Sequence, residues 1–198
     1  METQAPKRLL QVIAAFLEAH NGAPPRLLNV GAGKSFMIES HLVNRRYRFV
    51  CDRVDVEDCE VVHPNVGRCY RCALESMGPV KSGVYDLVFA NYVLEHVEGL
   101  TEASREVCRV LRPGAMFIAT VPNPTAPEFL IAKRTPLWLH RMIRGGTGWE
   151  THYSYKSVPH LVDILRGTGL QTIEVAYYAC VETYMGRFPV LGRTSSSL

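Results

Sequence analysis

A chain of 198 residues with 47% hydrophobic content suits a single domain with a full core, and a formal net charge of +3 is too mild to argue for a nucleic-acid partner. No run of about 18 apolar residues is present to span a bilayer, and no apolar stretch follows residues 1–8 as a signal peptide would need. The six cysteines, scattered through predicted strands and helices, read as free thiols of a reducing compartment, so a cytoplasmic setting is expected.

In chain order, residues 6–20 form the first predicted helix: Leu9, Leu10, Val12, Ile13, Phe16 and Leu17 recur at helical spacing, and Asn21-Gly22 stops it. Leu27 to Val30 then reads as an apolar strand running into Gly31-Ala32-Gly33. Two glycines one residue apart let a ligand lie against the backbone, and the end of a first parallel strand is where an open α/β sheet binds one. A P-loop would need a glycine at Leu28, and a dinucleotide fingerprint would need one at Phe36. What remains is the shorter glycine pair of an S-adenosylmethionine site. A second helix is predicted over 34–44 and a second strand over 47–51, ending in Asp52. Asp52 lies 19 residues after Gly33, close to where such a site places an acid on the ribose hydroxyls.

A third strand is predicted within 66–72, and a fourth, buried on both faces, over 84–90. Thr101 is the expected N-cap of a helix through Leu111; Arg112-Pro113-Gly114 should end it before a strand over 115–121. Ser157 caps a later helix through Arg166, and 170–180 reads as a long strand. Regular strand–helix alternation predicts an α/β, doubly wound parallel sheet.

Four blocks in this order carry a family resemblance. They are Leu28-Asn-Val-Gly-Ala-Gly33; Asp52; Tyr85-Asp-Leu-Val-Phe-Ala-Asn-Tyr-Val-Leu-Glu-His-Val97; and Arg109-Val-Leu-Arg-Pro-Gly114 leading to Thr120-Val-Pro-Asn123. Together they resemble class I S-adenosylmethionine-dependent methyltransferases of the UbiE-like, type 11 group. The resemblance implies a mostly parallel seven-stranded Rossmann-like sheet whose final strand, over 187–192, is antiparallel. It also implies one domain over 1–198, with a lid or substrate insertion at about 124–155. S-adenosylmethionine is the implied cofactor. Gly31, Ala32 and Gly33 would meet its methionine half, beside Asn29, which stands where the family usually has an acid. Asp52 would hold the ribose, and Cys72 and Ala73 would face the adenine. Asn91 and Tyr92 would flank the sulfonium, a cation that favours aromatic faces.

Methyl transfer requires alignment and dehydration of acceptor and sulfonium, with a base only for a weakly acidic nucleophile. His96 is the first candidate base, because its type titrates near neutral pH; its competing role is to pack the turn after the fourth strand. His152 and Tyr153 are the second candidates, delivered by the loop Gly145-Gly146-Thr147-Gly148. Within 126–144, Lys133, Arg134, Arg141 and Arg144 accompany an apolar set around Phe129, Leu130, Leu137 and Trp138. That pattern suits a lid for a small-molecule, glycan or lipid-linked acceptor with an anionic part, a peripheral membrane contact, or an ordinary amphipathic cover. Two other readings stay open: a non-catalytic S-adenosylmethionine binder, and a small module stabilised by zinc on Cys59, His63, Cys69 and Cys72. Strand positions three apart face opposite ways, which counts against zinc at Cys69 and Cys72, and no metal is expected.

Overall fold

The computed structural model describes residues 4–58, 65–126 and 153–178. Five strands form one sheet: β1 (Arg26–Val30), β2 (Val50–Asp55), β3 (Val66–Arg71), β4 (Tyr85–Asn91) and β5 (Leu111–Thr120). Their order is β3-β2-β1-β4-β5, and every neighbouring pair is parallel. All carboxyl ends therefore lie along one rim, and the order reverses between β1 and β4. That reversal is the crevice where an open sheet of this kind takes its ligand.

Helices cover both faces because the central strands are apolar on both. Leu27, Leu87 and Phe89 pack against Leu9, Ile13 and Leu17 of α1 (Gln4–Ala19) and against Ile38 and Leu42 of α2 (Met37–Asn44). On the opposite face Leu28, Val30, Val88 and Ala90 meet Leu100, Ala103 and Val107 of α3 (Leu100–Val110) and Leu161 of α4 (Val158–Gly167). Successive residues of β1 thus supply alternate cores, as the two-residue period of a strand requires. Ser157 caps α4 as predicted, its Oγ accepting from the His160 amide at 3.3 Å.

Several boundaries differ from the sequence reading. β2 begins at Val50 and runs to Asp55, so Asp52 is an interior residue paired with Leu28. α3 starts at Leu100, with Gly99 rather than Thr101 at its cap and no side-chain cap bond; burial of Leu100 sets that frame. The Arg112-Pro113-Gly114 stretch does not separate helix from strand. β5 starts at Leu111 and carries the stretch as a bulge, Leu111 pairing with Tyr85 and Met116 with Leu87. Gly114, at φ +78°, supplies the left-handed turn that the bulge needs. Residues 170–178 carry no strand, and Ile173 and Tyr177 are exposed. A strand exists only where a neighbour completes its ladder, and among the described residues this segment has no ladder partner; it lines a cavity together with β5. The expected final strand at 187–192 lies outside them.

Candidate cofactor and acceptor site

The glycine turn is an extension of the β1–β2 ladder: the Gly31 and Ala32 amides both donate to the Val54 carbonyl, at 2.8 and 3.2 Å. Its underside is held by one buried arginine. Arg53 Nη2 donates to the carbonyls of Ala32, Gly33 and Ser35 at 2.9, 3.3 and 2.7 Å, and the guanidinium lies 3.9 Å from the Phe36 ring centroid. Glu39, from α2, balances the charge at 3.5 Å and also accepts from Asn29 Nδ2 at 2.9 Å. Asn29, Glu39 and Arg53 are all buried. Asn29 therefore supports the turn from below, through an acid contributed by the following helix.

The two glycines have different jobs. A Cβ on Gly31 would stand 2.3 Å from Val93 Cγ2, so the space freed there is filled by the exit of β4 rather than by a ligand. At Gly33 the same position opens onto nothing within 4 Å, with φ at +53°. The bared backbone that a ligand can reach is thus at Gly33.

Asp52 is not at the rim. Its carboxylate is 1% exposed and is engaged by Arg26 Nη2 at 2.6 Å, the Tyr85 hydroxyl at 2.7 Å and the Arg68 amide at 2.9 Å. Arg26 and Tyr85 begin β1 and β4, so this cluster belongs to the amino-terminal part of the sheet. The expectation that Asp52 holds a ribose is corrected for a simple reason: the strand starts and ends later than its apolar run suggests. The acid at the strand's tip is Asp55. Its Oδ2 accepts from the Gly33 amide at 2.7 Å, its Oδ1 from the Glu57 amide at 3.0 Å, and its carbonyl from the Cys72 amide at 2.9 Å. Gly33, Asp55, Cys72 and Ala73 are therefore neighbours, and Gly31, Ala32 and Asn29 adjoin them. A carboxylate has about four acceptor positions, and two are engaged here. The remaining pair, next to an open glycine face, fits the vicinal hydroxyls of an adenosyl group.

Across the crevice, Asn91 closes β4 and Tyr92 follows at φ +57°, an unusual conformation for a residue with a side chain. Thr120 holds both: its carbonyl accepts the Tyr92 amide at 3.0 Å, and its hydroxyl donates to Asn91 Oδ1 at 2.7 Å. The chain then makes a 3₁₀ turn, Leu94–His96. Residues 153–155 return to this turn. The Tyr153 amide donates to the Glu95 carbonyl at 3.1 Å, Ser154 Oγ to the Val97 carbonyl at 2.7 Å, and the Tyr155 hydroxyl to the Pro122 carbonyl at 2.8 Å. Burial, with Glu95 and Tyr153 nearby, pushes the Tyr155 phenol well above its usual range.

A cavity of about 1760 Å³ runs along β5, with Tyr92, Glu95, His96, Thr120, Asn123 and Tyr153 in its lining. Gly33 and Asp55 do not line it, whereas residues of α1, α4 and 170–178 do. His96 and Tyr153 are brought together here. His152 and residues 127–150 lie outside the described residues, as do Cys59 and His63 of the zinc reading. Of its remaining pair, Cys69 is in β3 and Cys72 just beyond it.

Sequence reasoning missed Asp55, Arg53, Glu39 and Glu95. Asp55 was hidden in the acidic run with Glu57 and Asp58, and an acid ending a correctly bounded β2 would have marked it. A lone arginine within an apolar strand was the available signal for Arg53.

The family model described as "Methyltransferase domain" matches residues 1–175, so the chain belongs to that family, the class I S-adenosylmethionine-dependent methyltransferases. S-adenosylmethionine is the cofactor of this class. No curated protein matches. Among solved structures, the S-adenosylmethionine-dependent methyltransferase from Mesorhizobium loti is 16% identical at a TM-score of 0.60, over 93% of this chain and 91% of that one. The phosphoethanolamine N-methyltransferase 2 of Haemonchus contortus, in complex with S-adenosyl-L-methionine, is 14% identical at 0.58, over 93% and 40%. The 4+2 cyclase SpnF is 21% identical at 0.59, over 84% and 57%. The chain thus spans little more than half of the cyclase and less than half of the N-methyltransferase.

Among the described residues, no helix is long and apolar enough to cross a membrane.

Proposed function

We propose that the chain transfers a methyl group from S-adenosylmethionine to an acceptor held in the cavity along β5. The observation that carries this reading is the pairing of Gly33 and Asp55 at the rim, where an open backbone face adjoins a carboxylate with spare acceptor positions. In this reading Asp55 accepts from the ribose hydroxyls, Gly33 and Ala32 face the methionine half, and Cys72 and Ala73 border the adenine. Arg53, Glu39 and Asn29 keep the turn in shape from beneath. Bound this way, the cofactor supplies an electrophilic methyl on a sulfonium. The chain's part is to hold the acceptor in line with that methyl and to exclude water, with Tyr92 as the aromatic wall and Asn91 beside it. His96, His152 and Tyr153 belong to the acceptor side.

The acceptor class we favour is a small molecule, or a glycan- or lipid-linked group, bearing an anionic part. Four cations within 126–144 support it, as does the likeness to a phosphoethanolamine N-methyltransferase. The free thiols Cys51, Cys69, Cys72 and Cys108 support a reducing, cytoplasmic setting. A cyclase of the same fold shows that architecture alone does not choose the reaction. The test is calorimetry with S-adenosylmethionine, followed by transfer of labelled methyl to phosphorylated amines and alcohols. Binding is expected near micromolar, about −8 kcal/mol. No binding overturns the reading, and binding without transfer to any acceptor favours a non-catalytic role.

A further inference from the structure

Glu95 is the polar side chain that the site leaves unexplained. It is 4% exposed, lines the cavity beside Tyr92, and its Oε2 has no hydrogen-bond partner among the described residues. A buried carboxylate oxygen left without a partner is costly, so such an atom calls for a ligand that completes it. Its backbone is fixed from both sides, by the 3₁₀ turn itself and by the Tyr153 amide on its carbonyl. We propose that Glu95 is the acceptor-side base: its carboxylate receives an N–H of an amine acceptor and takes the proton that must leave before methyl transfer. This rests on the methyl-transfer reading above and adds the acceptor's reactive group.

The chemistry selects an amine. Burial pushes the Glu95 carboxyl up to about 7, with His96 pulling it partly back. Among the described residues, the titratable groups that act on it are His96 from its own turn and Tyr155 from the returning segment, whose Tyr153 amide holds the Glu95 carbonyl. An alkylammonium loses its proton near 10, about three units away, whereas an alkyl hydroxyl is far less acidic and poorly matched. The ammonium has no lone pair until an N–H proton passes to Glu95. The freed pair then forms the N–C bond as the C–S bond breaks, its electrons going to sulfur and leaving a neutral thioether. The methylated ammonium departs, and Glu95 returns its proton to solvent. Tyr155, whose hydroxyl is committed to the Pro122 carbonyl, is not placed to do this.

The test is an infrared titration of the full chain with S-adenosylhomocysteine bound, using methylammonium as the probe because it is small enough for any amine subsite. The expected result is a carboxylic-acid band with a midpoint near pH 7, absent from Glu95→Gln. Saturating methylammonium should lower that midpoint by about one unit, since an adjacent cation favours the charged form. Methylammonium should bind roughly tenfold more weakly to Glu95→Gln, while S-adenosylhomocysteine affinity stays the same. A midpoint that methylammonium does not move overturns the proposal, and the wild-type titration decides this even if the variant fails to fold. If S-adenosylhomocysteine fails to bind, the cofactor reading falls instead; the same titration run without it still decides the role of Glu95.

Discussion

Two aspartates three residues apart on one strand should fail in opposite ways. Asp52→Asn keeps the shape of the side chain but turns one acceptor oxygen into a donor. Oδ2 receives both Arg26 Nη2 and the Tyr85 hydroxyl, and Oδ1 receives the Arg68 amide. Whichever oxygen is replaced, at least one buried donor then faces another donor. Bonds to a charged acceptor are each worth about 1.5–3 kcal/mol, and the Arg26 contribution is discounted because that side chain is 44% exposed. A loss of about 3 kcal/mol in folding stability is expected, with cofactor affinity unchanged in the folded fraction. Asp55→Asn should do the reverse. The amide oxygen can keep the Gly33 amide bond, so stability falls by only about 1 kcal/mol, but the ribose loses its charged acceptor and affinity drops about 10- to 100-fold. Denaturant unfolding and calorimetry with S-adenosylhomocysteine measure the two quantities separately. The reasoning is refuted if folded Asp52→Asn loses affinity while Asp55→Asn keeps it.

The glycines separate in the same manner. Gly31→Ala places a methyl 2.3 Å from Val93 at positive φ and should destabilise by about 2–4 kcal/mol, partly restored by Val93→Ala in the double variant. Gly33→Ala meets no atom and should cost only about 1–2 kcal/mol of strain, yet reduce cofactor affinity, as thermal unfolding with and without S-adenosylhomocysteine will show. Arg53→Met strips three carbonyls of their donor and leaves Glu39 buried without its counter-charge; a loss of about 3–5 kcal/mol is expected, and adding Glu39→Gln should recover part of it in urea unfolding. Glu95 predicts a pH dependence. Its carboxyl sits near 7 in the folded chain against an ordinary 4.5, so the native state holds the proton more tightly. Its contribution is fully present below pH 4.5 and is lost as pH rises through 7, by about 3 kcal/mol; Glu95→Gln should remove that slope.

The order of elements was legible because it depends on residue-scale patterns. The apolar runs at Leu27–Val30 and Leu87–Ala90 are too long and too uniform to be anything but central strands. The Ser157 cap was readable because a cap bond spans only three residues. The end of β2 was not, since Val50 to Asp55 mixes three charged residues with three apolar ones without a period, and its register is set by β1 and β3 rather than by its own composition. That single shift put Asp52 inside the sheet and Asp55 at the strand's tip. Glu95 escaped notice for a related reason: a lone acid in a short turn has no sequence mark of burial, and the segment that returns to this turn, residues 153–155, lies about sixty positions away. The strand expected over 170–180 shows the same limit, because β-branched and aromatic content describes what a ladder accepts, not whether a neighbour is present.

The bond from the Tyr155 hydroxyl to the Pro122 carbonyl pins two points of the chain 33 residues apart against each other. The chain leaves this contact at Pro122 and returns to it at Tyr155. Closure entropy grows only with the logarithm of contour length, so residues can be added or removed in that excursion at small thermodynamic expense. Grafting the stretch between Asn123 and Tyr153 from a relative therefore tests whether those residues choose the acceptor.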